Sequence, residues 1–545
     1  MLRDLLKRVR PRGAEDPRAL REGAWRAAGG GDAPRARALL ERALALAPDS
    51  ADTHSDLGNV LVLLGEESAA ERSYAAAIAL APDHASALAN LGLLHARRDD
   101  RPSALECFRR AVRADPSSSA AIRGLVDWLP DDAVPHEDIA LLRSVVERFP
   151  DHAVALAALG RLHMRGAFDA APALAALERA VSLGERDPDT LTAYGAALQE
   201  LGRLEDALAA YDAARSRDPQ HVGACFHRAI ALLTAGRFAE AWPDYELRLR
   251  SEDRPQRAFP FPRWNGEPLA GKTILVHAEQ GIGDEILFAS CLPEIVGAAR
   301  HCVIDCSPKL APLFVRSFPP ATVHAGHQAD PVDWTLPLGI DVQVPAGSLP
   351  LYLRNAPTAF PAHQGYLRAD PAKVGRWRER LAALGPGRAI GVSWRGGTAR
   401  TRTERRSLTL GVLEPLLREL GFHFVSLQYG PEAAAEAAGF ASASGIRMHH
   451  WPEAIDDYDE TAALATALDG IVSVCTAIVH LGGALGRPVW VMTPRAPEWR
   501  YGAAGERMPW YPSVRLLRQA ASADWSPVVD AVRRELAALR SGHRG

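Results

Sequence analysis

The sequence predicts an α-helical solenoid followed by an α/β half made of two lobes of parallel sheet. Three observations predict this architecture: a 34-residue period in the first half, alternating strands and helices in the second, and a segment rich in proline, glycine and aromatic residues between them. The chain has 545 residues, and a single hydrophobic core rarely serves more than about 300. Several domains are therefore expected.

The period is marked by prolines that each follow a helical pattern and are 34 residues apart: Pro48, Pro82, Pro116 and Pro150. Glycines fall near the same period, at Gly58, Gly92, Gly160 and Gly195. A small residue is followed four positions later by an aromatic one in several units, as in Ala70 with Tyr74. The pattern resembles the tetratricopeptide repeat, in which helix pairs stack into a superhelix with a concave groove.

Matching this template gives about seven units over residues 17–250, after an extension at 1–16. The fourth unit departs from it, because Pro130 and Pro135 fall at the turn between its helices and Val126 replaces the glycine. The sixth has Pro188 instead of a proline at 184. We expect the array to bind a protein or to pack on the domain that follows.

Composition excludes several classes of function. Lys and Arg total 63 against 66 for Asp and Glu, a net charge of -3, which argues against a nucleic-acid coat or a polybasic membrane binder. No apolar run is long enough to span a membrane. Six cysteines are too few for a disulfide scaffold, so a reduced, cytoplasmic setting is expected.

Residues 251–271 are interpreted as a linker. The first lobe, 272–367, is predicted from strands at 273–277 and 301–306 with helices behind them, continued by TVHAG and VDWTLPL. A connection at 368–388 precedes the second lobe, 389–545, whose predicted strands are 389–394, 422–428, GIRMHHW, 470–474 and 488–492, with a helix at the C-terminus. Ligands of open parallel sheets bind at the carboxyl ends of the strands, so functional residues are sought there.

The first such segment, HAEQGIGDE (277–285), follows the first strand. Gln280, Gly281 and Gly283 form a loop in which the glycines allow a tight turn and close approach of a ligand. Asp284 is either a helix cap or a carboxylate at the edge of the cleft that can accept a proton.

The second segment, SWRGGTARTRTERRS (393–407), combines glycines, hydroxyls and five arginines, which suits a diphosphate. Gly396, Gly397, Thr398 and Arg406 are the predicted ligands, whereas the outer arginines are interpreted as solvated. Gln428, just after a strand, is a predicted nucleotide contact.

In the third segment a strand ends at Cys475-Thr476 and a helix begins at once, which favours an anionic or polar ligand. His480 is either packed in the core or part of the site. We expect Cys475 at the mouth of the site with a lowered thiol pKa, the alternative being an inert buried residue.

No metal is predicted. Asp457-Tyr458-Asp459 has the spacing of a metal-binding DxD, but its context indicates a helix start capped by Asp459 or Thr461. His449-His450 has no third ligand, which argues against zinc.

Taken together, AWPDYELR, FPRWNGEPLAGKTILVHAEQGIGDE, SWRGG, RRSLTL, SLQYG, CTAIVHLGGALGRPVWVM and PEWRYG resemble the bacterial tetratricopeptide-repeat glycosyltransferases, over about residues 20–535. The second half is also similar to the ADP-heptose lipopolysaccharide heptosyltransferases. The layout is similar to that of protein O-GlcNAc transferase and the flagellin glycosyltransferases.

The resemblance implies a metal-independent GT-B enzyme without a cofactor, in which the first lobe faces the acceptor and the second binds a nucleotide-sugar as co-substrate. It implies Asp284, in Gly283-Asp284, as general base, and Gly396, Gly397, Thr398, Thr476 and His480 as donor ligands. The family usually has Asp where this chain has Cys475, and a thiol does not accept hydrogen bonds from sugar hydroxyls as a carboxylate does.

The function expected from the sequence is therefore inverting transfer of a hexosyl, heptosyl or nonulosonyl group to a protein recruited by the repeats, such as flagellin or another surface protein. Two alternatives stay open. One is a non-enzymatic adaptor with a degenerate transferase half, and the other is a lipopolysaccharide or glycan transferase.

Overall fold

The computed structural model describes residues 16–130, 134–165, 169–250, 257–327, 330–397, 403–520 and 524–541. The chain divides into two compact units, with the boundary between Leu198 and Gln199. The change in sequence pattern falls instead near residue 250, so the second unit contains the end of the helical array as well as the whole α/β half.

Fourteen helices lie within the described part of residues 16–250 and follow one another as seven pairs. They are α1 (Pro17–Gly29), α2 (Ala33–Leu46), α3 (Ala51–Leu63), α4 (Glu67–Leu80), α5 (Ala85–Arg97), α6 (Arg101–Ala114), α7 (Ser119–Trp128), α8 (His136–Arg148), α9 (Ala153–Arg165), α10 (Ala170–Ser182), α11 (Pro188–Glu200), α12 (Leu204–Arg217), α13 (Val222–Thr234) and α14 (Phe238–Tyr245). The predicted helical repeat array is confirmed.

The periodic residues have the structural roles that their spacing predicts. The second helices α2, α4, α6 and α8 each end two residues before one of the 34-spaced prolines. The glycines allow the helices of a pair to approach closely: a Cβ at Gly58 would lie 2.4 Å from Cε1 of Tyr74, and one at Gly92 would lie 2.8 Å from Cε1 of Phe108. Tyr74 and Phe108 are buried, so each aromatic ring fills the space that the glycine leaves.

The irregular units differ where the sequence indicates. Helix α7 has only 10 residues and ends at Trp128, and α8 begins directly after Pro135. In the sixth unit Gly184, at φ +98°, follows the end of α10, and Pro188 is the first residue of α11 rather than the end of a helix.

The first sheet has four strands in the order β3-β2-β1-β4, all parallel: β1 (Thr273–His277), β2 (His301–Cys306), β3 (Thr322–Ala325) and β4 (Val342–Pro345). Strands β1, β2 and β3 match the prediction. Strand β4 was not predicted, and residues 333–338 of VDWTLPL form a 3₁₀ helix. Within the predicted linker, Trp264 donates a backbone hydrogen bond to Gln343 of β4 (2.8 Å).

The segment after β1 forms two helices rather than the single one that its spacing suggests: α15 (Ile282–Ala289) and α16 (Leu292–Ala298). Pro293 lies in the first turn of α16, which is a position that tolerates proline. Helices α17 (Ala311–Ser317) and α18 (Leu349–Leu353) complete this part.

The second sheet has six strands in the order β6-β5-β7-β8-β10-β9. They are β5 (Arg388–Ser393), β6 (Phe422–Ser426), β7 (Gly470–Val474), β8 (Val489–Thr493), β9 (Arg507–Met508) and β10 (Tyr511–Arg518), and all are parallel except β9. Strands β9 and β10 were not predicted. The predicted strand GIRMHHW is wrong, because within it only His449 forms an isolated bridge, to Val425.

The helices of this part are α19 (Pro371–Ala382), α20 (Leu410–Leu417), α21 (Ala433–Ser444), α22 (Pro452–Asp456), α23 (Tyr458–Ala467), α24 (Ala477–Ala484) and α25 (Ser526–Arg540). Helix α19 occupies the predicted connection between the lobes. The predicted C-terminal helix, α25, is confirmed.

Within the second unit, an aromatic cluster joins the last repeat helix to both sheets. Trp242 and Tyr245 of α14 lie 6.0 Å from Trp499, measured between ring centroids. Trp499 also contacts Phe288 of α15 (6.4 Å) and Trp510 (6.1 Å). The last repeat helix is thus part of the structure that positions the loops described below.

Candidate functional site

The first functional segment lies at the start of α15, where Asp284 is in the first turn. Gly281 is the N-cap residue, so Asp284 is not the helix cap. A Cβ at Gly281 would meet nothing within 4 Å, whereas one at Gly283 would lie 3.3 Å from Cδ2 of His480 and 3.6 Å from Cα of Ala477. The close approach that the glycines permit is therefore to helix α24, and Gly283 provides it.

The carboxylate of Asp284 forms an ion pair with Arg500, which the sequence analysis did not assign to the site. Oδ1 of Asp284 accepts hydrogen bonds from Nε of Arg500 at 2.8 Å and from Nη2 of the same guanidinium. The side chains are 18% and 15% exposed. Asp284 follows β1 of the first sheet and Arg500 follows β8 of the second, so the ion pair links the two sheets.

Glu498 extends this ion pair to a second arginine. Its Oε2 lies 3.6 Å from Nη1 of Arg500, and its Oε1 accepts a hydrogen bond from Nη1 of Arg406. Burial lowers the pKa of Arg500, but the carboxylates of Asp284 and Glu498 more than offset this and hold it above its ordinary value. The predicted ligand Arg406 therefore lies in the same group of charges as the predicted base.

The loop after β5 packs against the end of β7. A Cβ at Gly396 would lie 2.7 Å from the carbonyl oxygen of Cys475 and 2.8 Å from Cγ2 of Thr476, so only glycine fits there without a backbone shift. Gly397 has φ +82°, a conformation that favours glycine. Thr398 lies outside the described residues.

Helix α24 begins at this point, and Thr476 is its N-cap residue. Oγ1 of Thr476 accepts a hydrogen bond from the backbone N–H of Ile478 (3.2 Å), so the hydroxyl is used in capping. Gly396 and Thr476, both predicted from the sequence, are thus brought together at the start of one helix.

His480 is buried, with 4% of its surface exposed, and Nδ1 lies 3.2 Å from Oη of Tyr511. Burial lowers the pKa of His480 to about 3, and the charge of Arg500 acts in the same direction. The imidazole is therefore neutral at physiological pH. Because it contacts Gly283, it helps to fix the distance between the two loops.

Cys475 is 1% exposed, and burial raises its thiol pKa. The expectation of a lowered pKa is wrong. The start of α24 favours an anion, but the removal of solvent disfavours the thiolate more strongly. All six cysteines are buried free thiols.

Gln428 connects β6 to the loop after β5. Its Oε1 accepts hydrogen bonds from the backbone N–H groups of Trp394 (2.9 Å) and Arg395 (2.8 Å), and its Nε2 donates to the carbonyl oxygens of Arg395 and Tyr429 (both 3.1 Å). These bonds show that the side chain shapes the loop. Contact with a nucleotide stays a prediction.

The side chain of Gln280 contacts helix α14 and the neighbouring residue Glu279. Its Nε2 lies 3.0 Å from Oη of Tyr245 and 3.0 Å from Oε1 of Glu279, and Glu279 in turn accepts from Arg248 at 2.7 Å. The predicted acceptor-side loop is therefore fixed to the last repeat helix.

Glu285 is a second residue that the sequence analysis missed. It is 7% exposed and lines a cavity behind the carboxyl ends of β1 and β2, together with Phe288, Ile304 and Cys306. Its Oε2 accepts a hydrogen bond from the backbone N–H of Ser307 (2.8 Å). Burial raises the pKa of Glu285 to about 7, even though that hydrogen bond favours the ionised form.

The DxD motif caps a helix, as predicted, but the cap is Asp457 and not Asp459 or Thr461. Oδ1 of Asp457 accepts from the backbone N–H of Asp459 (2.9 Å). The carboxylate of Asp459 is paired with Arg316 (2.9 Å) and Lys373 (3.0 Å). Among the described residues, no cluster of three or more His, Cys, Asp or Glu side chains is arranged to hold a metal ion.

The signal that could have identified Arg500 is the motif Glu498-Trp499-Arg500-Tyr501 itself, which places two opposite charges beside large aromatic residues. Which carboxylate Arg500 contacts depends on the packing of the two sheets. In the described part of the chain, none of the helices is both long and apolar enough to cross a lipid bilayer.

Comparison with known proteins identifies relatives of both parts of the chain. The tetratricopeptide repeat family matches residues 56–119 and 193–258, which confirms the repeats. Protein FlbA of Caulobacter vibrioides is 33% identical over 421 residues, which cover 73% of this chain and 69% of FlbA. Because the matched region is longer than the 250 residues that precede the linker, it includes part of the α/β half.

Solved structures also match part of this chain. The Pseudomonas aeruginosa protein PilF is 16% identical with a TM-score of 0.33, and the match covers 39% of this chain and 96% of PilF. YrrB, described as a TPR protein with an unusual peptide-binding site, is 19% identical with a TM-score of 0.26, and the match covers 40% of this chain and 93% of YrrB.

Proposed function

We propose, for a chain that belongs to the same family as the Caulobacter vibrioides protein FlbA, that its α/β half is a glycosyltransferase of the GT-B type. In this proposal it transfers a sugar from a nucleotide-sugar to a protein that the repeats recruit. One observation carries the proposal: helices α15 and α24, which follow parallel strands of two separate sheets, meet at Gly283 and Ala477, and Asp284 is the next residue of α15. Parallel strands bind ligands at their carboxyl ends, so a ligand at the start of these two helices would contact both sheets.

In the proposed reaction, Asp284 accepts the proton of an acceptor hydroxyl as the oxygen attacks the anomeric carbon of the donor sugar. The bond from that carbon to the phosphate oxygen breaks, and the nucleotide leaves with the electron pair. Attack from the side opposite the leaving group inverts the anomeric configuration. The residues that face the developing phosphate charge are Arg406, Arg500 and the N-terminal end of α24, where Thr476 is the cap.

The two sheets divide the reactants between them. The loop just before Asp284 is fixed to the last repeat helix through Gln280 and Tyr245. In this proposal, a protein held at the last repeat would present its hydroxyl beside this loop. The donor then binds at the second sheet, near Gly396 and Thr476. This arrangement favours a protein acceptor over a glycan acceptor.

A single substitution tests the assignment of the base. Asp284→Asn should reduce transfer by a factor of about 10² to 10⁴, the usual loss for a general base, while nucleotide binding is kept. The acceptor is first identified by intact-mass measurement of candidate proteins from cells with and without this protein. Single-turnover transfer and thermal melting are then measured for wild type and for Asp284→Asn. A near-wild-type rate in Asp284→Asn would refute the base.

The second candidate function is a non-enzymatic adaptor. It is favoured by Cys475, which replaces the carboxylate implied by the resemblance and is buried, so it offers no polar contact to a sugar. Titrating wild type and Cys475→Asp with a panel of nucleotide-sugars separates the two functions. An enzyme binds a donor as wild type, whereas an adaptor binds one only after the substitution or not at all.

A further inference from the structure

Four charged side chains form a continuous row near the start of α15 and α24, in the order Asp284, Arg500, Glu498 and Arg406. We call this row the charge chain. Arg500 is in its centre, with Nε 2.8 Å from Oδ1 of Asp284 and Nη1 3.6 Å from Oε2 of Glu498. Arg406 is at its end and donates to Oε1 of Glu498. The row thus sets two carboxylates against two arginines.

This balance matters because guanidinium groups bind phosphate oxygens through the same paired donors that they use for carboxylates. A phosphate that enters between the two sheets competes with Asp284 and Glu498 for the arginines. The partial positive charge at the N-terminal end of α24 favours the phosphate in that competition. Arg500 can satisfy its donors with the carboxylate of Asp284 or with a phosphate.

In this exchange the side chain of Arg500 moves while its backbone stays in place. The backbone on either side is held, because Tyr501 donates to the carbonyl oxygen of Glu498 (3.0 Å) and Ala503 donates to that of Thr234 (2.8 Å). The guanidinium lies 4.9 Å from the ring of Trp499, which is packed in the aromatic cluster. The ring provides a fixed surface along which the charged group can move.

We propose that Arg500 is a latch on Asp284: without nucleotide it occupies Oδ1 of the carboxylate, and a nucleotide phosphate binds Arg500 and thereby releases Asp284 to the acceptor. This inference rests on the proposed function, because it describes the regulation of the same site. It predicts that the donor binds before the acceptor is deprotonated. The carboxylate of Asp284 therefore becomes available as a base only when a nucleotide phosphate is bound.

The latch is tested by nucleotide binding to the full chain. CMP, UDP, GDP and ADP are titrated by isothermal calorimetry into wild type, Asp284→Asn, Arg500→Gln and the double variant. If Arg500 must leave Asp284 in order to bind phosphate, Asp284→Asn should bind about tenfold more tightly, a typical coupling between sites. Arg500→Gln should bind more weakly, and Asp284→Asn in that background should change affinity less than twofold.

The double variant separates the latch from a general effect of charge. Removal of any nearby negative charge strengthens the binding of an anion, and that gain in affinity persists when Arg500 is absent. A gain in affinity that comes from release of the latch requires Arg500 and is lost without it. Glu506→Gln is the matched control, because Glu506 is paired with Arg515 (2.9 Å) on the exposed side of the second sheet. Arg500→Lys, which keeps the charge but not the paired donors, replaces Arg500→Gln if the latter melts early.

Each outcome decides between the ideas. The latch is supported if Asp284→Asn strengthens nucleotide binding in wild type but not in the Arg500→Gln background. The latch is overturned if Asp284→Asn strengthens nucleotide binding equally in both backgrounds, or in neither. The proposed function then stands, since nucleotides still bind. If neither wild type nor Asp284→Asn binds any of the four nucleotides, the proposed function fails and the latch fails with it.

Discussion

Glu285→Gln should make the stability of the second unit less dependent on pH. The pKa of Glu285 is raised from 4.5 to about 7 because the side chain is buried against the cavity behind β1 and β2. At about 1.36 kcal/mol for each pH unit, the ionised carboxylate costs the folded protein about 3 kcal/mol. Glutamine keeps an oxygen that can accept from the backbone N–H of Ser307, but it carries no charge.

The sign follows from proton binding. The folded protein holds the Glu285 proton up to about pH 7, whereas the unfolded chain loses it near 4.5, so the folded state binds more protons in that range. The contribution of Glu285 to the free energy of unfolding of wild type therefore falls as pH rises from about 4.5 to about 7. The stabilisation of Glu285→Gln relative to wild type should grow over the same range by up to about 3 kcal/mol and then level off.

Urea unfolding at a series of pH values measures this difference. Tryptophan fluorescence is a suitable signal, because ten of the twelve tryptophans lie after residue 199 and report mainly on the second unit. Glu506→Gln, which removes an exposed carboxylate, is the control. A difference between wild type and Glu285→Gln that is constant from pH 4.5 to 8 would refute the burial argument.

Three further results are expected. Gly396→Ala should cost about 1 to 3 kcal/mol and weaken nucleotide binding, because the new Cβ would lie 2.7 Å from the carbonyl oxygen of Cys475; Gly375→Ala, whose Cβ meets nothing within 4 Å, should not lower the melting temperature. Iodoacetamide should label Cys475 only after unfolding, since the thiol is buried with a raised pKa, and rapid labelling of the native protein in peptide mass maps would contradict this. Asp459→Ala should destabilise the second unit by about 3 kcal/mol in urea unfolding, because it leaves Arg316 without its buried carboxylate; a loss below about 1 kcal/mol would show that solvent replaces it.

The repeats could be predicted almost completely from the sequence. Their fold depends on contacts at a separation of about one period, so similar small and aromatic residues recur in several units, as Gly58 and Tyr74 illustrate. The buried strands β1, β2, β5, β7 and β8 were also predictable, because they are apolar runs bounded by turns. Strand β10 was missed because it lacks such a run: Ser513 and Arg515 interrupt its apolar residues.

The candidate site was predicted in part, for a reason that its residues make clear. Gly283, Gly396 and Thr476 follow the ends of strands, where ligands of parallel sheets bind. Strand ends can be located from the sequence alone, so these residues could be predicted. Their contacts with one another are not local. The same holds for Cys475: the start of a helix suggests a lowered pKa, but the depth of burial depends on the packing of other segments around it.

By itself, the sequence determined the helical array, the alternation of the main strands and helices, and most of the residues at the strand ends, because these depend on periodicity and neighbouring residues. Only the tertiary structure decided that Asp284 is paired with Arg500, 216 residues further along the chain, and that burial keeps a proton on Glu285 to about pH 7. Ion pairs and burial are set by distances through space. Two carboxylates that are adjacent in sequence can therefore have different partners, charges and roles.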